Sequence, residues 1–266
     1  MQAWAGRVRP TLHRFPSVLG SVAPPLHTAS VDRHLTAPRL RRPNRLTLSK
    51  IGALFLSSIG AVNATVEPRA VEWDRLNDEA LQSDAPLWLV LGDSTSQGIG
   101  STTIETSYVQ IVRGRLEAHT GTTWRVLNLS VTGARMNGVV ERQLAAWNHL
   151  GMEAELVTCL AGANDVFARS RSRTLASAAG RLLDALPSGS VVGQLGAGGP
   201  SRRRVSLARS LFREWAEAGH IVLFDPWRWP TMRGMWAQDR FHPNDDGYAA
   251  IADQLWGALT EVVPDR

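Results

Sequence analysis

The chain has 266 residues, of which 44% are apolar, so it can bury a sizeable core as one large domain or two small ones. Its single cysteine, Cys159, excludes an internal disulfide and a metal site built from several cysteines. Residues 1–50 hold nine of the 29 Lys and Arg residues but only one acid, Asp32, so a basic arm precedes a mildly acidic body.

The N-terminal part of the chain divides into a proline-rich segment and a short apolar run. Residues 1–47 are poor in apolar side chains, which is typical of a poorly ordered segment. Residues 51–62 are mostly apolar but too few to span a membrane, which requires about 20 apolar residues. Two interpretations stay open, an unusually late export signal or a docking helix. We expect a mainly cytoplasmic enzyme, with export or membrane contact through residues 51–64 as the alternative.

From residue 87 onward, short apolar runs alternate with segments whose apolar residues recur at helical spacing. The clearest helical stripe is the last one, which includes Tyr248, Ile251, Leu255 and Leu259. This repeated β–α pattern predicts one parallel sheet covered by helices on both faces. The apolar runs predict strands at residues 87–91, 124–128, 156–161, 191–195 and 221–224.

Small polar residues follow four of the predicted strands, and such residues alone more often shape turns or cap helices. Because the carboxyl ends of parallel strands share one rim, we expect the four segments to converge there. Together they supply a hydroxyl, a base with a neighbouring acid, and neutral donors, which are the groups that acyl transfer needs. In chain order the segments contain Gly92, Asp93 and Ser94, then Asn128 and Gly133, then Asn164 and Asp165, and finally Asp239 and His242.

These four segments resemble the signature blocks of the SGNH (GDSL) hydrolase family of esterases and lipases, in the family's order and at similar spacing. Gly-Asp-Ser-Thr stands here in place of Gly-Asp-Ser-Leu. The resemblance covers residue 87 to about residue 262 and implies a three-layer α/β/α, flavodoxin-like fold with about five parallel strands. We therefore divide the chain into a basic, partly disordered N-terminal extension, residues 1–80, and an SGNH hydrolase domain, residues 81–266.

The resemblance also implies a role for each site residue. Ser94 would be the nucleophile, His242 the general base that later protonates the leaving alcohol, and Asp239 the group that orients His242. The backbone N–H groups of Ser94 and Gly133 and the side-chain amide of Asn164 would form the oxyanion hole. These roles predict hydrolysis of a carboxylic ester through an acyl-Ser94 intermediate, with no metal or organic cofactor.

Further expectations concern the substrate and two alternative functions. We expect a small-molecule, lipid or sugar ester as substrate and favour no nucleic acid partner, because the arginines of the arm are not interleaved with aromatic residues. The same site would also serve an O-acyltransferase, and the same fold could host a non-catalytic carbohydrate- or lipid-binding module. The loop at residues 226–236, with three tryptophans and two methionines, is predicted either to line an acyl pocket or to fix itself to the body.

Overall fold

The computed structural model describes residues 62–196, 201–227, 234–260 and 262–263. The basic arm, the apolar run except for its last residue, and the centre of the tryptophan-rich loop lie outside the described residues. Within the described ranges, no helix has the length and apolar character needed to cross a membrane.

Short strands alternate with helices along the described chain. The strands are β1 (Leu87–Gly92), β2 (Arg125–Asn128), β3 (Leu156–Leu160), β4 (Ser190–Gly193) and β5 (Ile221–Phe224). A π-helical segment, Val139–Leu144, joins the helices Met136–Gly138 and Ala145–Leu150. The helices are α1 (Val66–Leu81), α2 (Tyr108–Thr120), α3 (Met136–Gly138), α4 (Ala145–Leu150), α5 (Ala163–Phe167), α6 (Ser172–Ala185), α7 (Arg202–Glu217) and α8 (Asp245–Leu259).

The five strands form one sheet in the order β2-β1-β3-β4-β5, and every neighbouring pair is parallel. Strand β1 is fully buried, and its alternate residues enter two separate apolar clusters. Leu89 belongs to the cluster that includes residues of α6 and α7, and Val90 to the cluster that includes residues of α2 and α8. The predicted three-layer α/β/α, flavodoxin-like fold is therefore confirmed.

Helix α1 lies in the predicted N-terminal extension but packs against the domain. The indole Nε1 of buried Trp73 donates to the carbonyl of Gln97 over 3.0 Å. Asn77 exchanges two hydrogen bonds with the backbone of Asn128, accepting its N–H over 2.8 Å and donating to its carbonyl over 2.9 Å. Because β2 is an edge strand, these bonds satisfy backbone groups that would otherwise need another partner. The predicted boundary after residue 80 thus falls within α1.

Candidate active site

Ser94, His242 and Asp239 form a connected chain of hydrogen bonds just beyond the carboxyl end of β1. Ser94 Oγ lies 2.9 Å from Nε2 of His242, and Nδ1 of the same ring lies 2.6 Å from Oδ2 of Asp239. With the proton assigned to Nδ1, the ring donates to Asp239 while Nε2 accepts the hydroxyl proton of Ser94. The structure therefore places the predicted nucleophile, base and orienting acid in contact.

Asp239 is held by the backbone of its own loop as well as by His242. Its Oδ1 accepts the N–H of Phe241 over 2.9 Å and the N–H of His242 over 3.0 Å. Burial alone would raise the pKa of Asp239, but the hydrogen bonds from the His242 ring and from both N–H groups hold it below its usual range. The carboxylate stays ionised at neutral pH and can stabilise an imidazolium beside it.

The strand end that carries Ser94 is fixed by Gln143, which lies in the π-helical segment. The Gln143 side chain accepts the N–H of Gly92 over 2.9 Å and donates to the Gly92 carbonyl over 2.7 Å. Gly92 has a φ of 148°, and a side chain at this position would overlap the Leu160 carbonyl of β3. π-helical segments are frequent at functional sites, and this one supplies the group that fixes the chain two residues before the nucleophile.

The loop after Ser94 comes close to the base. A Cβ atom at Gly100 would lie 2.8 Å from Cβ of His242, and Gly100 has a φ of 101°. Glycine tolerates both the positive φ and the close approach, whereas any larger residue would displace the base or the loop. The position of His242 relative to Ser94 therefore depends on this glycine.

The three predicted oxyanion donors lie in two loops and at the start of α5, which hydrogen bonds connect to one another. Asn164 Nδ2 donates to the Ala134 carbonyl over 2.9 Å, in the turn next to Gly133, and lies 3.4 Å from Oδ2 of Asp93, beside Ser94. The 3.4 Å contact with Asp93 is long and therefore weak, so this N–H of Asn164 can form a shorter hydrogen bond to another acceptor instead. Among the described residues, none accepts a hydrogen bond from the backbone N–H of Ser94 or Gly133. The two backbone N–H groups and one N–H of the Asn164 amide are thus available to a negatively charged acceptor.

Asp93 is a buried carboxyl group directly before the nucleophile. Its side chain is 2% exposed, and Oδ1 accepts the Thr95 N–H over 3.0 Å. Burial raises the pKa of Asp93 to about 6, although the Thr95 hydrogen bonds and the nearby His242 oppose the increase. The sequence analysis gave Asp93 no role in the reaction, yet it connects the Ser94 loop to Asn164.

Gln97, like Gln143, carries a buried side-chain amide near the site that the sequence did not predict. Its Nε2 donates to the Ser130 carbonyl over 3.0 Å, and its Oε1 accepts the Thr132 N–H over 3.0 Å. The Thr132 hydroxyl also donates to Oε1 over 2.5 Å. Gln97 therefore fixes the residue before Gly133 to the loop that follows Ser94. A glutamine in a polar loop gives no signal of this role in the sequence.

Asp165 braces the site from the other side. Its Oδ2 accepts the Met136 N–H over 3.0 Å, which connects the loop after β3 to the start of α3. Burial raises the pKa of Asp165, while the hydrogen bond from Met136 and the nearby Arg135 oppose that increase. Asp165 therefore acts as a brace between these two segments.

The structure describes both ends of the tryptophan-rich loop but not its centre. The rings of Trp227 and Trp236 stack with centroids 6.4 Å apart, while residues 228–233 lie outside the described residues. The acyl-pocket interpretation of this loop stays a prediction.

Among the residues that the structure describes, no cluster of three or more His, Cys, Asp or Glu side chains could hold a metal ion.

Comparisons with known structures support the fold. The psychrotrophic esterase EstA from Pseudoalteromonas, inhibited by monoethylphosphonate, is 20% identical with a TM-score of 0.54, covering 66% of this chain and 97% of its own. TesA is also 20% identical with a TM-score of 0.55, covering 65% and 97%. A mutant of Axe2, an acetyl-xylooligosaccharide esterase from Geobacillus, is 19% identical with a TM-score of 0.52, covering 69% and 98%.

The family follows from the sequence match rather than from these structures. A search of curated proteins found no significant match. The family model described as the GDSL-like Lipase/Acylhydrolase family matches residues 90–250, which is more than half of the chain and includes every predicted site residue. The chain therefore belongs to the GDSL-like lipase/acylhydrolase family and is a carboxylic ester hydrolase.

Proposed function

We propose that this protein cleaves carboxylic esters through a covalent acyl-Ser94 intermediate. The observation that carries the proposal is the continuous contact from Ser94 through His242 to Asp239, with heavy-atom distances of 2.9 and 2.6 Å. A serine hydroxyl is a weak nucleophile at neutral pH, and a base within hydrogen-bond reach is the usual means of activating it.

In the acylation step, Ser94 Oγ forms a bond to the ester carbonyl carbon as its proton moves to Nε2 of His242. The carbonyl oxygen gains the negative charge of a tetrahedral intermediate. When that intermediate collapses, the bond between carbon and the alcohol oxygen breaks, and the proton on Nε2 passes to the leaving alcohol. Asp239 keeps its charge throughout and stabilises the imidazolium.

In the deacylation step, water takes the place of the alcohol. His242 accepts a proton from the water as its oxygen attacks the acyl carbon, and the same proton then returns to Ser94 Oγ as the acyl–serine bond breaks. The carboxylic acid leaves, and Ser94 and His242 return to their starting states.

The oxyanion is assigned to the N–H groups of Ser94 and Gly133 and to the amide of Asn164. The 3.4 Å contact between Asn164 and Asp93 supports this assignment, because a weak bond costs little to exchange for one to an anion. The loss of one such donor typically lowers turnover by about 10²–10³.

The experiment compares hydrolysis of 4-nitrophenyl acetate by the wild type, Ser94→Ala and Ser206→Ala. Ser206 lies on the exposed face of α7 and controls for the loss of any serine hydroxyl. We expect Ser94→Ala to lose turnover by about 10⁴ or more and Ser206→Ala to keep it. Full activity in folded Ser94→Ala would refute the acyl-Ser94 intermediate.

Product analysis with an added acceptor alcohol separates hydrolysis from acyl transfer. Free carboxylic acid as the main product at moderate alcohol concentrations supports hydrolysis. Predominant transfer of the acyl group to the alcohol would replace hydrolysis with acyltransferase activity, while leaving the roles of Ser94, His242 and Asp239 unchanged.

A further inference from the structure

An exposed apolar side chain lies beside the catalytic base. Phe167, the last residue of α5, is 57% exposed and is one of the few large apolar side chains so exposed in the described chain. Its ring packs edge-on against Phe241, with centroids 4.4 Å apart and an interplanar angle of 69°. Phe241 in turn packs edge-on against the His242 ring, with centroids 4.7 Å apart. Two phenyl rings thus connect the solvent to the imidazole of the base.

Both phenylalanines are positioned by elements that also carry site residues. Phe167 lies three residues after Asn164 on α5, so the two side chains are neighbours on one helix face. Phe241 directly precedes His242. The pair therefore bridges helix α5, which carries the proposed oxyanion amide, and the loop that carries the base.

The backbone beside each phenylalanine is held in an unfavourable conformation. Arg169, two residues after Phe167, has a φ of 53°, and Arg240, directly before Phe241, has a φ of 54°. They are the only non-glycine residues with positive φ in the described part of the chain. A left-handed conformation costs a residue with a side chain about 1 kcal/mol or more, and such strain tends to occur at functional sites.

From these contacts we infer that Phe167 and Phe241 form the subsite for the leaving alcohol, and that the preferred esters carry an apolar alkyl or aryl alcohol. The inference rests on the proposed function. The imidazole Nε2 must approach the alcohol oxygen to protonate it, so a group packed against the imidazole lies on the alcohol side of the scissile bond. An apolar alcohol covering Phe167 removes an exposed ring from water at no cost in buried polar groups.

The reaction sequence gives this subsite a distinctive signature. Acetates of different alcohols form the same acetyl-Ser94 intermediate, so their deacylation is identical. A residue that contacts the alcohol therefore changes kcat/KM, which reports acylation, in a way that depends on the alcohol and not on the acyl chain. A residue that merely supports the fold changes all esters alike.

The experiment measures kcat/KM for ethyl acetate, 2-phenylethyl acetate and ethyl hexanoate with the wild type, Phe167→Ala, Phe167→Leu and Val71→Ala. Val71 is 53% exposed on α1 and controls for the loss of an exposed apolar side chain. We expect Phe167→Ala to lose about tenfold toward 2-phenylethyl acetate and less than about twofold toward ethyl acetate. Phe167→Leu should recover most of the loss, and Val71→Ala should match the wild type.

Each other outcome overturns a specific statement. A loss in Phe167→Ala that follows the acyl chain, seen as a changed ratio of ethyl hexanoate to ethyl acetate, would place the pair on the acyl side. Equal losses for all three esters would make it a structural contact only. If wild-type protein released acid from none of the esters, the proposed function itself would fail, and the inference with it.

Discussion

The buried carboxyl group of Asp93 makes the stability of this protein depend on pH in a calculable way. Burial raises its pKa to about 6, whereas an aspartate in an unfolded chain has a pKa near 3.9. At about 1.4 kcal/mol for each pH unit of that difference, ionising Asp93 costs the folded state about 3 kcal/mol. The neighbouring His242 and Asp165 side chains act in opposite directions on this pKa.

The raised pKa of Asp93 makes the folded protein more stable at low pH than at neutral pH. Because the folded-state pKa is raised, the stability that Asp93 contributes is fully present below about pH 4 and is lost as the pH rises through about 6. Asp93→Asn keeps the size of the side chain and removes the titration. Because the unfolded carboxyl is already half ionised near pH 4, the unfolding free energy of this variant relative to the wild type should increase by about 2 kcal/mol between pH 4 and pH 7, whatever its starting value.

The assay is urea unfolding followed by tryptophan fluorescence at half-unit steps from pH 4 to pH 8, for the wild type, Asp93→Asn and Asp84→Asn. Asp84 is exposed, so its variant controls for the loss of one negative charge, and we expect it to differ from the wild type by less than about 0.5 kcal/mol. A difference in unfolding free energy between Asp93→Asn and the wild type that stays constant across this range would show that Asp93 ionises without the cost of burial.

Three further substitutions test the contacts that position the site. Asp239→Asn should lower kcat by about 10³ or more, because the neutral amide neither fixes the Nδ1–H tautomer of His242 nor stabilises the imidazolium, and kinetics with 4-nitrophenyl acetate checks it. A loss below tenfold would count against this role. Gln97→Met should destabilise the protein by about 2–3 kcal/mol, because it leaves the Thr132 N–H and the Ser130 carbonyl unpaired beside Gly133. It should also lower kcat by a larger factor than it changes KM. An unchanged midpoint of urea unfolding would contradict this prediction. Trp73→Ala should cost about 3–5 kcal/mol in urea unfolding, and a value near zero would mean that α1 does not stabilise the domain.

Most of the fold was accessible from the sequence because apolar periodicity reports it directly. Each predicted strand is present, with ends that differ by at most two residues. Helix α1 was not predicted, because two of its four buried residues, Arg69 and Asn77, are polar. Arg69 and Asn77 form hydrogen bonds to backbone groups elsewhere in the domain, and this pairing leaves no apolar stripe to detect.

The candidate site likewise contains residues that the sequence predicts and residues that it does not. Ser94, Asp239 and His242 were found because their residue types and order carry the chemistry, and the structure brings them within hydrogen-bond distance. Gln97 and Gln143 were not found, because bracing by an amide requires only a buried donor and acceptor at the right place. These hydrogen bonds join residues that are 33 and 51 positions apart in the chain, and no sequence spacing predicts them.

Mass spectrometry after treatment with a fluorophosphonate tests whether Ser94 is a nucleophile activated by His242. We expect one covalent adduct on the peptide that contains Ser94 in the wild type and in Ser206→Ala, none in Ser94→Ala, and labelling slower by about 10² or more in His242→Ala. An adduct on another residue, or a folded wild-type protein that takes up no label, would contradict it.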